Sequence, residues 1–176
     1  MGFFQRNGNY HYSDTFFRSS CCNFLNSFIF EIYVPYNSYK LHSDTLKYTD
    51  ILKPGHINTE FARYELHRVW VVDAIVKKGK KHLYPHRTFY LDEDSWQALI
   101  IDIYNDRGRP WRVSEGHVIN YYEVPTIWTT LQAHYDLKSG RYFVNGVDNE
   151  ERMYDFSIER SPVDYTPAAL RKLGKR

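Results

Sequence analysis

Three consecutive acids, Asp92-Glu93-Asp94, interrupt an otherwise aromatic and aliphatic run, TFYLDEDSWQALIIDIY. Neighbouring carboxylates can hold a divalent cation or act as a general acid and base in hydrolysis. A general acid needs a carboxyl group whose pKa burial has raised, whereas acids at a turn are usually hydrated. Because the trio lies between two predicted strands, we expect it to form the hydrated bend of a hairpin.

The eight histidines raise the question of a metal site. His82 and His86 share a face of one predicted strand, but four residues of strand span roughly 13 Å, which is too far for two ligands of one ion. His117 and His134 lie on two strands that are expected to pair. When the apolar faces of those strands are aligned, the two histidines fall on opposite sides of the sheet. We therefore predict that the chain has no metal site.

Residues for nucleophilic catalysis are also poorly placed. Ser114 and Ser139 lack the glycine-framed elbow of a serine hydrolase, and no phosphate-binding loop is present. Cys21 and Cys22 are adjacent, so they cannot build a disulfide framework or a cysteine zinc site within one chain. We predict no catalytic residue, no cofactor and no enzymatic activity. A hydrolase that uses the turn carboxylates and histidines remains the alternative.

The elements that must position these residues are strands. Tyr, Phe and Trp make up 18% of the chain, which favours sheet because aromatic rings pack well on a pleated surface. At least six successive strands joined by short turns predict an antiparallel meander. One helix signal closes the chain, with Thr166 as N-cap and Pro167 at the first helical position. The predicted strands are Glu31–Leu41, Arg63–Val76, His82–Leu91, Trp96–Tyr104, Trp111–Tyr122, Trp128–Leu137 and Arg141–Val147.

The predicted strand Trp96–Tyr104 is apolar on both faces. Leu99, Ile101 and Ile103 alternate with other apolar side chains, whereas a sheet with one solvated face would alternate apolar with polar residues. Each face of this strand is therefore expected to contact a core, a ligand, a lid or a partner.

The first thirty residues differ from the rest in composition. They contain seven Phe among Asn, Ser and Gly, and neither the helical nor the strand period persists there. We predict a leader over residues 1–30, either disordered or the product of a shifted reading frame or a spurious upstream start, and a domain over residues 31–176. The leader lacks the continuous apolar segment of a signal peptide, and no apolar run is long enough to cross a membrane.

Net charge is +2, and basic residues cluster at 77–81 and 171–176. Neither cluster alternates with aromatic residues as nucleic-acid grooves do, so we expect no nucleic-acid partner.

Three segments resemble the proteobacterial DUF1329 family, a domain of unknown function described as similar to outer-membrane lipoprotein-sorting proteins. They are YVPYNSYKLHSDTLKYTDILKPGHINTEFARYELHRVWVVDA, RTFYLDEDSWQALIIDIYNDRGRPWRVSEGHVINYYEVP and YDLKSGRYFVNGVDNEE. The resemblance spans about residues 31–176 and covers the C-terminal portion of longer family members.

The resemblance implies a mainly β fold, a curved antiparallel meander that forms part of an incomplete β-barrel like that of the lipoprotein carriers LolA and LppX. It also implies a periplasmic or outer-membrane-periphery location, binding of a lipid or other hydrophobic molecule, and an inner-membrane exporter of the resistance-nodulation-division type as a partner. It brings no catalytic residues.

We expect the ligand to be bound by apolar side chains and by aromatic rims whose polar ends meet its polar group. A protein–protein interaction module that docks through an exposed strand edge is a further alternative. The candidate ligand-binding residues are Trp70, Trp96, Trp111, Trp128, Tyr104 and Tyr121.

Overall fold

A computed structural model of the chain describes residues 5–6, 9–10 and 22–174. These residues form eleven strands, two short α-helices and two 3₁₀ turns. The strands are β1 (Gln5–Arg6), β2 (Asn9–Tyr10), β3 (Cys22–Pro35), β4 (Leu52–Lys53), β5 (His56–Ile57), β6 (Tyr64–Val76), β7 (His86–Asp92), β8 (Ala98–Tyr104), β9 (Pro110–Tyr121), β10 (Thr126–Asp136) and β11 (Tyr142–Asn145). The helices are α1 (Tyr48–Ile51) and α2 (Pro167–Leu173), and the 3₁₀ turns span Tyr39–His42 and Pro162–Tyr165.

Nine of the strands form one open antiparallel sheet in the order β1-β2-β3-β6-β7-β8-β9-β10-β11. From β6 onward each strand pairs with the next along the chain, so the predicted antiparallel meander is confirmed. Strands β4 and β5 form a separate small hairpin. The predicted C-terminal helix is also present, and the Thr166 hydroxyl accepts a hydrogen bond from the Ala169 amide as its N-cap.

Strand β3 begins at Cys22, nine residues before the start expected at Glu31. It pairs with β6 along its whole length, from Cys22 opposite Val76 to Pro35 opposite Tyr64. Residues 22–30 of the expected leader are therefore strand. The boundary at residue 31 and the origin of the leader stay predictions, and residues 1–4, 7–8, 11–21 and 175–176 lie outside the described residues.

The sheet curls toward one of its faces. Val34 of β3, Val69 of β6 and Val118 of β9 are fully buried in one hydrophobic cluster, although three strands separate β3 from β9 in the sheet. Tyr36, which follows β3, packs in the same cluster. The mainly β, curved and incomplete sheet that was expected is therefore what the chain forms.

The segment between β3 and β6, residues 36–63, crosses to the far end of the sheet. Its buried Leu41, Ile51 and Ile57 pack on Leu131 and Ala133 of β10 in a second hydrophobic cluster. A polar contact also holds this segment, because the Tyr142 hydroxyl of β11 donates a hydrogen bond to the Lys53 carbonyl at 2.6 Å. This segment thus covers the β10 and β11 end of the curled face.

We predict that Leu131→Ala lowers the free energy of unfolding by about 2–5 kcal/mol, because it leaves a cavity between β10 and the crossing segment. Leu131 is fully buried. Leu137→Ala removes the same atoms from a side chain that is 54% exposed, and it should change stability by less than about 0.5 kcal/mol. Urea denaturation measures both; an equal loss in the two variants would contradict this packing.

Candidate functional site

We call the side toward which the sheet curls the inner face. The strand register shows which residues lie on it. Residues that are cross-strand partners lie on the same face of a sheet. One row of such partners crosses β3, β6, β7 and β8 through Phe28, Val71, Tyr90 and Ile100. The neighbours of these residues in each strand point to the opposite, outer face. Leu99 is an exception, because it lies at a register shift in β8 and is buried in the same cluster as Val69 and Val71.

An apolar groove of about 410 Å³ runs along the inner face over these four strands. Phe28 and Phe30 flank it and remain 46% and 55% exposed, whereas Val71 is 5% exposed. Large apolar side chains thus face an open space rather than a filled core. The groove is lined by Phe28, Phe30, Ile32, Val71, Tyr90, Ile100 and Asp102.

One end of the groove is polar. The Tyr90 hydroxyl donates a hydrogen bond to the Asp102 carboxylate at 3.0 Å. Burial, and then the hydrogen bond and charge of Asp102, raise the pKa of Tyr90, so the phenol stays protonated and acts as a donor. Close by in the same cross-strand row, Asp73 accepts hydrogen bonds from the Thr88 hydroxyl at 2.7 Å and shares one with His86 at 3.0 Å.

The expectation that Asp92 belongs to a hydrated bend is wrong. Asp92 is fully buried, and its carboxylate accepts hydrogen bonds from the Ser95 amide at 2.8 Å and the Ser95 hydroxyl at 2.6 Å. Its other oxygen lies 3.0 Å from Nδ1 of His67. A tight turn, in which the Trp96 amide bonds the Asp92 carbonyl, folds the chain back so that the carboxylate reaches Ser95. The last acid of the trio, Asp94, is exposed as expected.

His67, Asp92 and Asp94 each offer a ligand atom, and these atoms lie within 4.8 Å of one another. A cation there would have to break the His67–Asp92 hydrogen bond, because both oxygens of Asp92 are already in use. The Tyr36 ring packs 4.0 Å from the His67 ring. Burial, followed by the charge of Asp92, raises the pKa of Tyr36 to about 12. The arrangement therefore fits a structural hydrogen-bond cluster packed against Tyr36 better than a metal site.

A second buried group resembles a catalytic triad in composition. Ser38 Oγ lies 3.4 Å from Nδ1 of His117, and Nε2 of His117 lies 3.6 Å from Glu115. Both distances are long for hydrogen bonds, and Ser38 and His117 are fully buried. A substrate could not reach this serine without opening the core, so the group does not support hydrolysis.

The predicted separation of His117 and His134 is confirmed. His117 pairs with Leu131 and faces inward, whereas His134 pairs with Ser114, the partner of the outward-facing Ile101. His134 Nδ1 lies 2.8 Å from the Ser114 hydroxyl.

None of the six predicted ligand residues lines the apolar groove. Trp70 lies on the outer face and stacks on Trp96 at 6.4 Å between ring centroids. Trp96 was expected to begin a strand, but it lies in the turn before β8 with a φ of 59°. Trp111 lies under the guanidinium of Arg112 at 4.5 Å.

The other three predicted residues are scattered. Trp128 is 52% exposed on β10, and Tyr104 stacks on His86 at 4.5 Å. Tyr121 packs edge-on against Phe156 at 4.9 Å. A ligand-binding role for these six residues stays a prediction.

Sequence reasoning missed Phe28 and Phe30 because they lie in the segment interpreted as a leader. A signal was present, since Phe28, Phe30, Ile32 and Val34 recur with the period of two that marks one face of a strand.

A family model described as protein of unknown function (DUF1329) matches residues 30–171. An uncharacterized protein from Pseudomonas aeruginosa is 54% identical over 147 residues, which are 83% of this chain and 32% of that protein. The chain thus spans about a third of the length of that curated relative.

Two solved structures are similar to the chain. A domain from Vibrio parahaemolyticus, named as a candidate outer-membrane lipoprotein-sorting protein, has a TM-score of 0.41 and 17% identity, covering 60% of this chain and 43% of that one. A DUF1329 family protein from Desulfovibrio piger has a TM-score of 0.38 and 15% identity, covering 59% and 41%. Both scores are low, so the fold rests on the strand pairing described above. Among the described residues, no helix is long and apolar enough to cross a membrane.

We predict that Asp92→Ala destabilises the protein by about 2–3 kcal/mol, because it leaves half-buried donors of Ser95 and His67 without their acceptor. The exposed neighbour is the matched control, and Asp94→Ala should cost less than about 0.5 kcal/mol. Thermal and urea unfolding measure the two changes. Equal, small effects would show that Asp92 is hydrated after all.

Proposed function

The chain belongs to the DUF1329 family, and on this premise we propose that it binds a lipid or another hydrophobic molecule in the apolar groove without catalysing a reaction on it. The observation that carries the proposal is the groove itself. Phe28 and Phe30 stay about half exposed on a face that curls around an open volume of about 410 Å³. That volume lies within the range of roughly 300–1,000 Å³ in which proteins bind small ligands.

Burial of apolar surface supplies the driving force. Each Å² of apolar surface removed from water contributes about 25 cal/mol, so a ligand that covers both phenyl rings gains several kcal/mol before the costs of association. The groove needs little rearrangement to accept an alkyl chain, since it lies on a hydrogen-bonded sheet rather than on loops.

The resemblance of the family to lipoprotein-sorting proteins supports a hydrophobic ligand. It also supports the bacterial envelope as the place of action. We include that location in the proposal, together with an exporter of the resistance-nodulation-division type as a partner. Catalysis is not proposed, because the buried Ser38 and His117 cannot meet a substrate in this arrangement.

Docking to another protein is a second candidate function, favoured by exposed apolar side chains in the C-terminal part of the chain. Phe143 of β11, the last strand in the sheet order, is 63% exposed, and Leu170 and Leu173 of α2 are about 70% exposed. Co-expression with the N-terminal portion of a longer family member should give a complex that loses stability on Phe143→Ser. Two portions that never associate would remove this candidate.

For ligand binding, we predict that Phe30→Ser weakens the affinity for a neutral hydrophobic fluorophore by about tenfold, because the phenyl ring no longer covers it. Stability should change little, since Phe30 is 55% exposed. Tyr33→Ser is the matched control: it removes a 67% exposed ring from the outer face of the same strand, and binding should be unchanged. Fluorescence titration measures both affinities. Equal affinities for the wild type and Phe30→Ser would place the fluorophore elsewhere.

A further inference from the structure

We infer that the groove selects an amphiphile with a cationic, hydrogen-bond-donating head group, such as a primary ammonium, over one with an anionic head group. This inference rests on the proposed function, because it names the chemical class of the molecule bound there. It is carried by the charge at the polar end of the groove and by the distribution of charge between the two faces of the sheet.

The inner face is acidic. In the strands between residues 22 and 145 of the nine-stranded sheet, the register places five acids on this face: Glu65, Asp73, Asp92, Asp102 and Glu115. No Lys or Arg of those strands shares it. The arginines of the same strands, Arg68, Arg87 and Arg112, all pair with residues of the outer face.

Asp102 is the acid that lines the groove. Within the part of the chain that the structure describes, its carboxylate accepts one side-chain hydrogen bond, from the Tyr90 hydroxyl to Oδ2. That donor is neutral, because burial raises the pKa of Tyr90 and keeps the phenol protonated. A carboxylate with a single neutral donor retains lone pairs for a further, charged donor.

The other inner-face acids are more fully engaged. Asp92 is bonded to Ser95 and His67, and Asp73 is bonded to Thr88 and His86. Glu65 pairs with Arg63 and accepts a hydrogen bond from Asn37. Both oxygens of Glu115 lie 3.2 Å from the Tyr64 hydroxyl, and one lies 3.6 Å from Nε2 of His117. Asp102 is therefore the acid with capacity for a ligand, next to apolar side chains that would hold an alkyl chain.

Head-group charge then decides the selectivity. An ammonium placed at the polar end gains a charge-assisted hydrogen bond to Asp102, in a half-buried site where solvent screens less than at the surface. A carboxylate or sulfate at the same place meets a like charge, and no Arg or Lys of those sheet strands is on that face to neutralise it.

The test compares three amphiphiles with the same alkyl chain: dodecylammonium, dodecanol and dodecanoate, each below its micelle concentration. Each displaces a neutral hydrophobic fluorophore from the protein at neutral pH. Dodecylammonium should displace it at an about tenfold lower concentration than dodecanoate, with dodecanol between them. Asp102→Asn should abolish the preference when each displacement is expressed relative to the variant's own affinity for the fluorophore. Asp106→Asn removes an exposed acid from the neighbouring turn and should preserve it.

Equal displacement by the three amphiphiles, or stronger displacement by dodecanoate, would overturn the head-group inference and leave hydrophobic binding standing. A preference that survives Asp102→Asn but falls with Asp106→Asn would also overturn it, since it would reflect general surface charge. A protein that binds neither the fluorophore nor any of the amphiphiles would instead overturn the proposed function.

Discussion

The ladder between β3 and β6 is the interaction on which the rest of the inner face depends. It places Phe28 opposite Val71 and Ile32 opposite His67, so the phenyl side of the groove exists only while this pairing holds. The same ladder ends at Pro35 opposite Tyr64, which directs Tyr36 into the hydrophobic cluster and starts the crossing segment. The phenyl side of the groove, the position of Tyr36 and the start of the crossing segment therefore all depend on the register between β3 and β6.

The curl of the sheet divides the inner face into three zones with different chemistry. In one zone His67 contacts the buried Asp92 and packs against the ring of Tyr36. At the far end the crossing segment covers β10 with Leu41, Ile51 and Ile57. The apolar groove lies over β3, β6, β7 and β8. In our proposal the alkyl chain of the ligand covers the phenyl rings, and its hydrogen-bond donor meets the Asp102 carboxylate.

Much of this fold could be predicted from the sequence. Strands β6 to β10, their antiparallel order and the opposite facing of His117 and His134 all follow from local alternation and from pairing apolar faces. The start of β3 could not, because Asn23 and Ser27 interrupt the apolar pattern before Phe28, and residues 22–27 are a strand through their pairing with the long β6. The burial of Asp92 depends on His67, which lies in another strand, and local sequence cannot show this contact.

The site was harder to predict than the fold. Its lining spans residues 28 to 102 and comes from four strands, so no segment of the sequence contains it. The tryptophans were predicted to bind the ligand because large aromatic rings often contact apolar molecules. Trp70, however, faces outward by its register with Leu91, and Trp96 lies in a turn against it. The residues that build the groove are ordinary Phe, Ile and Val, distinguished only by the face they share.

The central claim is that the inner face binds a hydrophobic molecule between β3 and β8. Photolabelling with an alkylammonium that carries a diazirine in its chain, followed by mass spectrometry of peptides, tests it most directly. We predict labels on Phe28, Phe30 or Ile100, and their loss when excess unlabelled dodecylammonium is present. Labels concentrated on outer-face residues such as Trp70, or on the exposed apolar residues of α2, would contradict it.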